Sequence, residues 1–255
     1  MKFSIITATL NSESTVKDCL DSVKGQSWSS IEHIIIDGAS RDKTVKIVEK
    51  HAAECTAKNR TVKIYSEPDT GLYDALNKGI SKASGDIIGF VHSDDMLADK
   101  FTLEEIHNAF IKNGADGIYG DLVYIKRANS DKVVRSWKSG VFQTGKLKYG
   151  WMPAHPTLYL RKSIYDDYGL FDLNYKISAD YDFILRVFSS ETLRFRYIPQ
   201  LLVKMRIGGE SNNGIRSIRN RSREDYRILK NNKISKPLWV LACKNMRKLP
   251  QFILK

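Results

Sequence analysis

Over roughly the first hundred residues, short apolar runs alternate with segments whose apolar positions follow the helical period. Residues 3–8 read as a strand. Val16, Cys19, Leu20 and Val23 then fall at i, i+3, i+4 and i+7, one face of a helix that Asn11 or Ser12 is placed to cap. Residues 31–36 predict a second strand, and Thr44, Ile47, Val48 and His51 a second helical face. A third strand at 62–65 precedes the stripe Leu72, Ala75, Leu76, Gly79, Ile80 and Ala83, which Gly85 is placed to end. Residues 87–91 predict a fourth strand, Leu103, Ile106, Phe110 and Ile111 a further helix, and residues 117–119 another strand. This order predicts an α/β chain built on a mostly parallel, doubly wound sheet with right-handed crossovers. After about residue 120 the alternation stops. Residues 122–125, 133–137 and 157–160 read as antiparallel strands, and 181–188 as a helix with Ile184, Val187 and Phe188 inward.

Composition adds limits. At 255 residues, 42% hydrophobic and 27% charged, the chain reads as globular rather than disordered. Its apolar runs, such as 34–36 and 238–243, fall far short of the ~18–20 residues of a spanning helix. The first apolar run is too short for a signal peptide, so no export is expected. Cys19, Cys55 and Cys243 are odd in number and far apart, which suits a reducing cytosol better than a disulfide framework or zinc cluster.

The formal charge of +12 is concentrated. Residues 216–255 hold twelve Lys or Arg against Glu224 and Asp225 alone, so the rest of the chain is nearly neutral. Leu229, Ile234, Leu238, Trp239, Val240, Leu241, Met246, Leu249, Phe252, Ile253 and Leu254 interleave with these bases, a pattern suited to an anionic membrane surface. A solvated basic face is the plain alternative. No nucleic-acid-binding motif accompanies the charge, so no nucleic-acid partner is expected.

A parallel sheet binds its ligand at the carboxyl ends of its strands. Here those ends read Thr7-Ala8-Thr9-Leu10-Asn11, Asp37-Gly38-Ala39-Ser40, Glu67-Pro68-Asp69-Thr70-Gly71 and His92-Ser93-Asp94-Asp95. Asp37, Asp69, Asp94 and Asp95 should therefore converge on one rim. Turn and cap preferences explain any one of them, but less readily all four. A rim of carboxylates accepts a phosphate only through a hard cation such as Mn²⁺ or Mg²⁺. Neither a P-loop nor a GxGxxG fingerprint is present.

Together these segments, with Ala179-Asp180-Tyr181-Asp182, resemble glycosyltransferase family 2 and its GT-A fold over about residues 1–210. The nearest flavour is that of bacterial polysaccharide and O-antigen transferases. The resemblance implies a metal-dependent enzyme, and the cysteines and basic tail add the expectation that it is cytoplasmic and peripheral at the inner face of the membrane. It would move a sugar from a nucleoside-diphosphate sugar to a saccharide or polyprenyl-linked hydroxyl with inversion. It implies a nucleotide-sugar-binding half at 1–120 and an acceptor and catalytic-base half at 121–215, ahead of the basic amphipathic tail at 216–255 that the charge marks out. It places the donor on Thr7, Ala8, Thr9, Asn11, Asp37, Asp69 and Asp94, the metal on Asp95, and the general base on Asp180, with Asp182 as competitor. Asp180 opens the helix towards the cleft, whereas Asp182 is expected to cap it or face solvent.

Further candidates rest on residue type. His155, in Trp151-Met152-Pro153-Ala154-His155-Pro156, is a candidate for donor phosphates or acceptor, or a structural turn residue. His92 stands beside the Asp pair. Arg206 and Arg161 are candidates to neutralise diphosphate or to form ion pairs, and Gly208-Gly209 to close on the donor. Trp137, Tyr149 and Trp151 are candidates for a sugar platform or for core. Two rivals remain at this stage, a nucleotidyltransferase that makes nucleotide sugars and a non-catalytic basic module binding membrane or nucleic acid.

Overall fold

The structure, a computed structural model, describes residues 1–57, 60–208 and 214–252, leaving aside the side chains of 214–218. Gly209 and the positions to 213, with Ile253 and Leu254, lie outside the described residues. β1 (Phe3–Thr9) runs parallel to β2 (Ile31–Asp37) and β4 (Ile87–Phe90), and β2 runs parallel to β3 (Thr61–Ser66). Thr9 is in register with Asp37, and Asp37 with Ser66, so these strands end level. Every residue of β1 and β2 is buried, as expected of strands covered on both faces. Ile6 and Ala8 face one core while Phe3 and Ile5 face the other, the period of two.

The helices follow the apolar spacing. α1 (Val16–Lys24) buries Val16, Cys19, Leu20 and Val23, and α2 (Thr44–Thr56) buries Thr44, Val48, His51 and Cys55. α3 (Leu72–Lys82) buries Tyr73, Ala75, Leu76, Gly79 and Ile80, but Leu72 is exposed. On α4 (Thr102–Asn113) Ile111 is exposed and Ala109 takes the inward place. Neither Asn11 nor Ser12 caps α1 with its side chain. The N–H groups of Thr15 and Val16 instead donate to the Ser12 carbonyl at 3.0 and 2.9 Å. Gly85 does not end α3, which stops at Lys82. Its N–H donates to Ser4 Oγ (2.9 Å) and Glu32 Oε1 (3.1 Å).

Beyond residue 120 the sheet continues. β6 (Gly117–Lys126) is one strand through the point where the pattern predicts a break. It pairs antiparallel with β7 (Asn129–Trp137) and β8 (Tyr159–Arg161), and parallel with β9 (Phe195–Arg206). A register shift against β9 between Tyr119 and Asp121 absorbs the Gly120-Asp121 interruption. With β5 (Met96–Leu97), nine strands stand among the described residues in the order β3-β2-β1-β4-β8-β6-β9-β5, with β7 on β6. α5 (Lys162–Tyr168) and α6 (Ala179–Phe188) complete this half.

The basic tail is helical and packed. α7 (Gly214–Asn231) and α8 (Pro237–Met246) bury Ile228, Leu229 and Val240 in the core that holds α3 and α6. Asp225 and Lys244, with side chains 4% and 10% exposed, pair at 2.8 Å, and Lys244 Nζ stands 3.3 Å from the Tyr181 ring centroid. Gly150 makes the close docking possible. Its φ is +67°, and a Cβ there would stand 2.6 Å from Lys244 Cβ and 2.7 Å from the Lys244 nitrogen. Gly150→Ala should therefore cost about 2–4 kcal/mol, summing left-handed strain and overpacking. Urea unfolding checks this, and an unchanged midpoint would mean that α8 does not sit as described.

Candidate active site

Asp37 ties the ends of three strands together. Its buried carboxylate accepts Thr9 Oγ1 (3.0 Å) and Ser40 Oγ (2.5 Å) on Oδ1, and the Ser40 N–H (3.0 Å) and Ser66 Oγ (2.7 Å) on Oδ2. Burial works against its ionisation, but the donors from Ser40, Ser66 and Thr9 outweigh it and hold the carboxyl below its ordinary value. The following loops are knitted alongside. The Asn11 N–H donates to Ser40 Oγ (2.8 Å), the Arg41 N–H to Asn11 Oδ1 (2.9 Å), and the Ser12 N–H to Thr44 Oγ1 (2.7 Å). Asn11 has φ +47°, which turns its side chain to this neighbouring loop rather than to α1.

Leu10, Gly38 and Asp69 stand at the rim of this knot. A Cβ on Gly38 would meet Asp69 Oδ2 at 2.5 Å and Leu10 Cδ1 at 3.4 Å, so the missing side chain lets Asp69 approach. Asp69 Oδ1 accepts the Gly71 N–H at 2.9 Å. Thr7 does not reach the rim. Its hydroxyl is buried under α1, donating to the Val91 carbonyl (2.8 Å) and lying 3.0 Å from His33 Nε2. Ala8 packs with the α3 core.

The turn after β4 brings the second group. Ser93 Oγ lies 3.0 Å from Ser12 Oγ. Asp94 is partly exposed, whereas Asp95 is fully buried. Asp95 Oδ1 accepts the Arg206 N–H (3.2 Å), and its Oδ2 has no partner among the described residues. Burial, and then the charge of Asp94, push the Asp95 carboxyl well above its ordinary value. The Arg206 guanidinium is engaged structurally rather than open to a diphosphate. It donates to the Asp94 carbonyl (3.0 Å) and to Asp18 Oδ2 (2.5 Å) on α1. Its place at the end of β9 explains this, because the short β5–β9 pairing brings it over the turn.

Asp180, in the first turn of α6, is partly exposed and accepts the Tyr73 hydroxyl at Oδ1 (3.0 Å). That hydroxyl also lies 2.9 Å from the Ile177 carbonyl. Burial first, and then the Asp180 charge, raise the Tyr73 phenol well above its usual value, so it remains a donor. The His155 ring stands 5.7 Å from Phe90 and 6.0 Å from His92, and its buried Nε2 has no partner among the described residues. Burial pushes His155 down to about 4 and lowers His92 too, while Asp180 pulls both upward and Asp94 also acts on His92. Ring contacts from His92 through His155 and Phe171 to Tyr73 thus link the turn of the Asp pair to Asp180.

Two contributions escaped the sequence reading. Tyr73 sits next to the apolar stripe of α3 and so points at α6. Glu224, on α7, accepts the N–H groups of Lys176 (3.1 Å), Ile177 (2.9 Å) and Ser178 (3.0 Å), the turn that launches α6. Asp182 neither caps α6 nor faces solvent. It is buried, pairs with Arg186 (2.8 Å) and accepts Asn232 Nδ2 (2.8 Å), because it lies on the α6 face that α7 covers. Arg161 lies apart, donating to the Ala115 carbonyl (3.0 Å) near Asp116. Trp151 is core rather than platform. Its Nε1 donates to the Ser139 carbonyl (2.8 Å), and its ring packs on Tyr119, Phe142 and Phe188. Trp137 is half-buried and Tyr149 exposed. Among the described residues, no group of three or more His, Cys, Asp or Glu is arranged to hold a metal, and no helix is long and apolar enough to cross a membrane.

The model of glycosyl transferase family 2 matches residues 4–169, more than half of the chain. A PGL/p-HBAD biosynthesis glycosyltransferase of Mycobacterium bovis is 32% identical over 213 residues, 82% of this chain and 79% of that protein. Among solved structures, residues 1–349 of S. aureus TarS in complex with UDP align with a TM-score of 0.68 at 20% identity, covering 92% of this chain. The chain spans 66% of that TarS chain, just under two thirds of its length. The mannosyltransferase PcManGT from Pyrobaculum calidifontis, in complex with GDP-Man and Mn²⁺, aligns with a TM-score of 0.69 at 14% identity, covering 99% of this chain and 73% of that one. At these identities the two structures speak for the fold, a curled mixed sheet of the GT-A kind.

Proposed function

The chain belongs to glycosyl transferase family 2 and is a glycosyltransferase, and from that premise we propose that its strand-end rim moves a sugar from a nucleoside-diphosphate sugar to a saccharide or polyprenyl-linked hydroxyl. The process would be cell-surface polysaccharide biosynthesis; the mycobacterial relative is named for PGL/p-HBAD biosynthesis. The observation that supports this reading is the run of ring contacts from His92 beside the Asp pair to His155 (6.0 Å), Phe171 (6.0 Å) and Tyr73 (5.4 Å), whose hydroxyl donates to Asp180 (3.0 Å).

In this reading residues 1–120 bind the donor. The knot around Asp37, with Thr9 and Asn11, shapes the nucleotide pocket, and Asp69 beside Gly38 lines it. Because all four hydrogen bonds to the Asp37 carboxylate are local, Asp37 acts by building that pocket. Residues 121–215 supply the acceptor side and the base.

A divalent cation fits the Asp pair. The unpartnered Asp95 Oδ2, and the burial and Asp94 charge that raise its carboxyl, are both answered by a positive charge placed there. Asp94, the more exposed of the two, and Asp95 would hold Mn²⁺ or Mg²⁺, with donor phosphates completing its shell. Such a cation acts as a Lewis acid towards the leaving diphosphate. Asp180 takes the proton from the acceptor hydroxyl. The Tyr73 hydroxyl holds Asp180 Oδ1, leaving Oδ2 for that work. A base opposite the leaving group gives a single displacement with inversion. His155, neutral, contributes a hydrogen bond to donor or acceptor rather than a charge.

The tail supports contact with an anionic membrane at the cytoplasmic face. Leu238, Trp239, Met246, Leu249 and Phe252 are all more than half exposed and lie among Lys236, Arg247 and Lys248. Thermal-shift measurements with UDP-, GDP- and dTDP-sugars test the donor site. One nucleotide should raise Tm by several degrees with Mn²⁺ present, and Asp94→Ala should abolish the rise. A metal-independent rise that survives Asp94→Ala would show that the nucleotide binds elsewhere.

A further inference from the structure

A cavity of about 240 Å³ opens between the end of β7, the turn at Gly150 and α8. Trp137, Trp151 and Met152 form one wall, and Lys244, Arg247 and Lys248 another. Among the described residues, it shares no lining residue with the strand-end rim, and no carboxylate lines it. Arg135, close by, is packed between the rings of Tyr124 (4.5 Å), Phe252 (5.1 Å) and Trp137 (5.9 Å). Asp225 is the acid near these bases, and Lys244 already pairs with it.

The positive charge is therefore in excess. Burial, and then the charges of Lys244, Arg221 and Arg135, push Lys248 down to about 8, with Asp225 opposing. An anion seated beside Lys248 removes that strain. The volume is below the roughly 300–1,000 Å³ of pockets that hold whole small ligands, so a headgroup fits better than a nucleotide sugar. A phosphomonoester carries about −1.5 to −2 at pH 7, more than a phosphodiester, and answers a cluster of bases best. The surroundings indicate where such a phosphate is carried. Met246, Leu249 and Phe252 flank the lining bases in sequence and are 66%, 64% and 53% exposed.

We propose that this cavity binds the terminal phosphate of an anionic lipid, with the headgroup against Lys248 and Arg247 and the adjoining apolar stem against Trp137. The inference rests on reading the tail as a membrane contact, and deepens it from general attraction to recognition of a phosphate. Lys244 pairs with Asp225, and Arg247 Nε donates to the Tyr149 carbonyl (3.1 Å), so both also support α8. Lys248 Nζ donates to Asn245 Oδ1 (3.0 Å) within its own turn and makes no ion pair among the described residues, which makes it the residue to change.

The test is co-sedimentation of the full chain with phosphatidylcholine vesicles carrying either phosphatidic acid or phosphatidylserine, matched in surface charge. The wild type should prefer the phosphatidic acid vesicles by about tenfold, the scale of one desolvated charge contact. Lys248→Gln should remove the preference while leaving the phosphatidylserine binding, and Lys248→Arg should restore it. Equal partition onto the two vesicles, or a preference unchanged in Lys248→Gln, overturns the cavity while leaving the membrane reading intact. Absence from both vesicles overturns the two together. Inorganic diphosphate alone is the remaining arm, read by tryptophan fluorescence. Binding as tight as that to the vesicles would overturn the lipid source in favour of a free anion.

Discussion

Asp180→Asn should keep the fold and lose about 10²–10⁴ in kcat, the worth of a positioned general base. Asparagine is nearly isosteric and still accepts the Tyr73 hydroxyl at the same oxygen. It can no longer take a proton. The donor knot and the Asp pair are untouched, so KM for the nucleotide sugar should hardly move. Steady-state kinetics with a thermal melt as control checks this. A kcat near wild type would remove Asp180 from the chemistry. Asp182→Asn separates the rival acid. It weakens the contact with Arg186 while still offering an acceptor to Asn232, so it should lower Tm and leave kcat near wild type.

Glu224→Ala is expected to reach the same chemistry from a distance. The change leaves three backbone N–H groups ahead of α6 without their acceptor. Lys176 is exposed and Ser178 buried, so water replaces only part of the loss, and the cost should be about 2–4 kcal/mol. Well below the new Tm, kcat should still fall, because the turn that carries Asp180 no longer holds one position, whereas KM for the donor should stay put. Glu224→Gln keeps one acceptor oxygen and should recover part of both effects. A lowered Tm with kcat unchanged would mean that Glu224 supports only the fold.

The parts of the molecule that were legible in the sequence are those with a local period. α1 shows the face that its spacing predicts, because i, i+3, i+4 and i+7 place four side chains on one stripe whatever covers it. The level ends of β1, β2 and β3 follow from parallel pairing, which sets Asp37 beside Thr9 and Ser66. Direction and depth were less legible. Thr7 lies two residues before Thr9, yet it packs under α1 while Thr9 reaches Asp37. Partners distant in sequence were not legible at all. Arg206 reads as a phosphate ligand by its charge, but Asp18 claims it. Glu224 disappears into a basic stretch when residues are only counted, since its three acceptor bonds reach back 46 to 48 positions.

The clamp supplied by Glu224 also fixes an order of events during synthesis. The ribosome finishes the donor half and the whole of α6 before it adds residue 224. A nascent chain can assemble its nucleotide pocket early, but the segment bearing Asp180 lacks its restraint until α7 emerges. If Asp180 is the base, competence for transfer would thus arrive late, with the stretch proposed to meet the membrane.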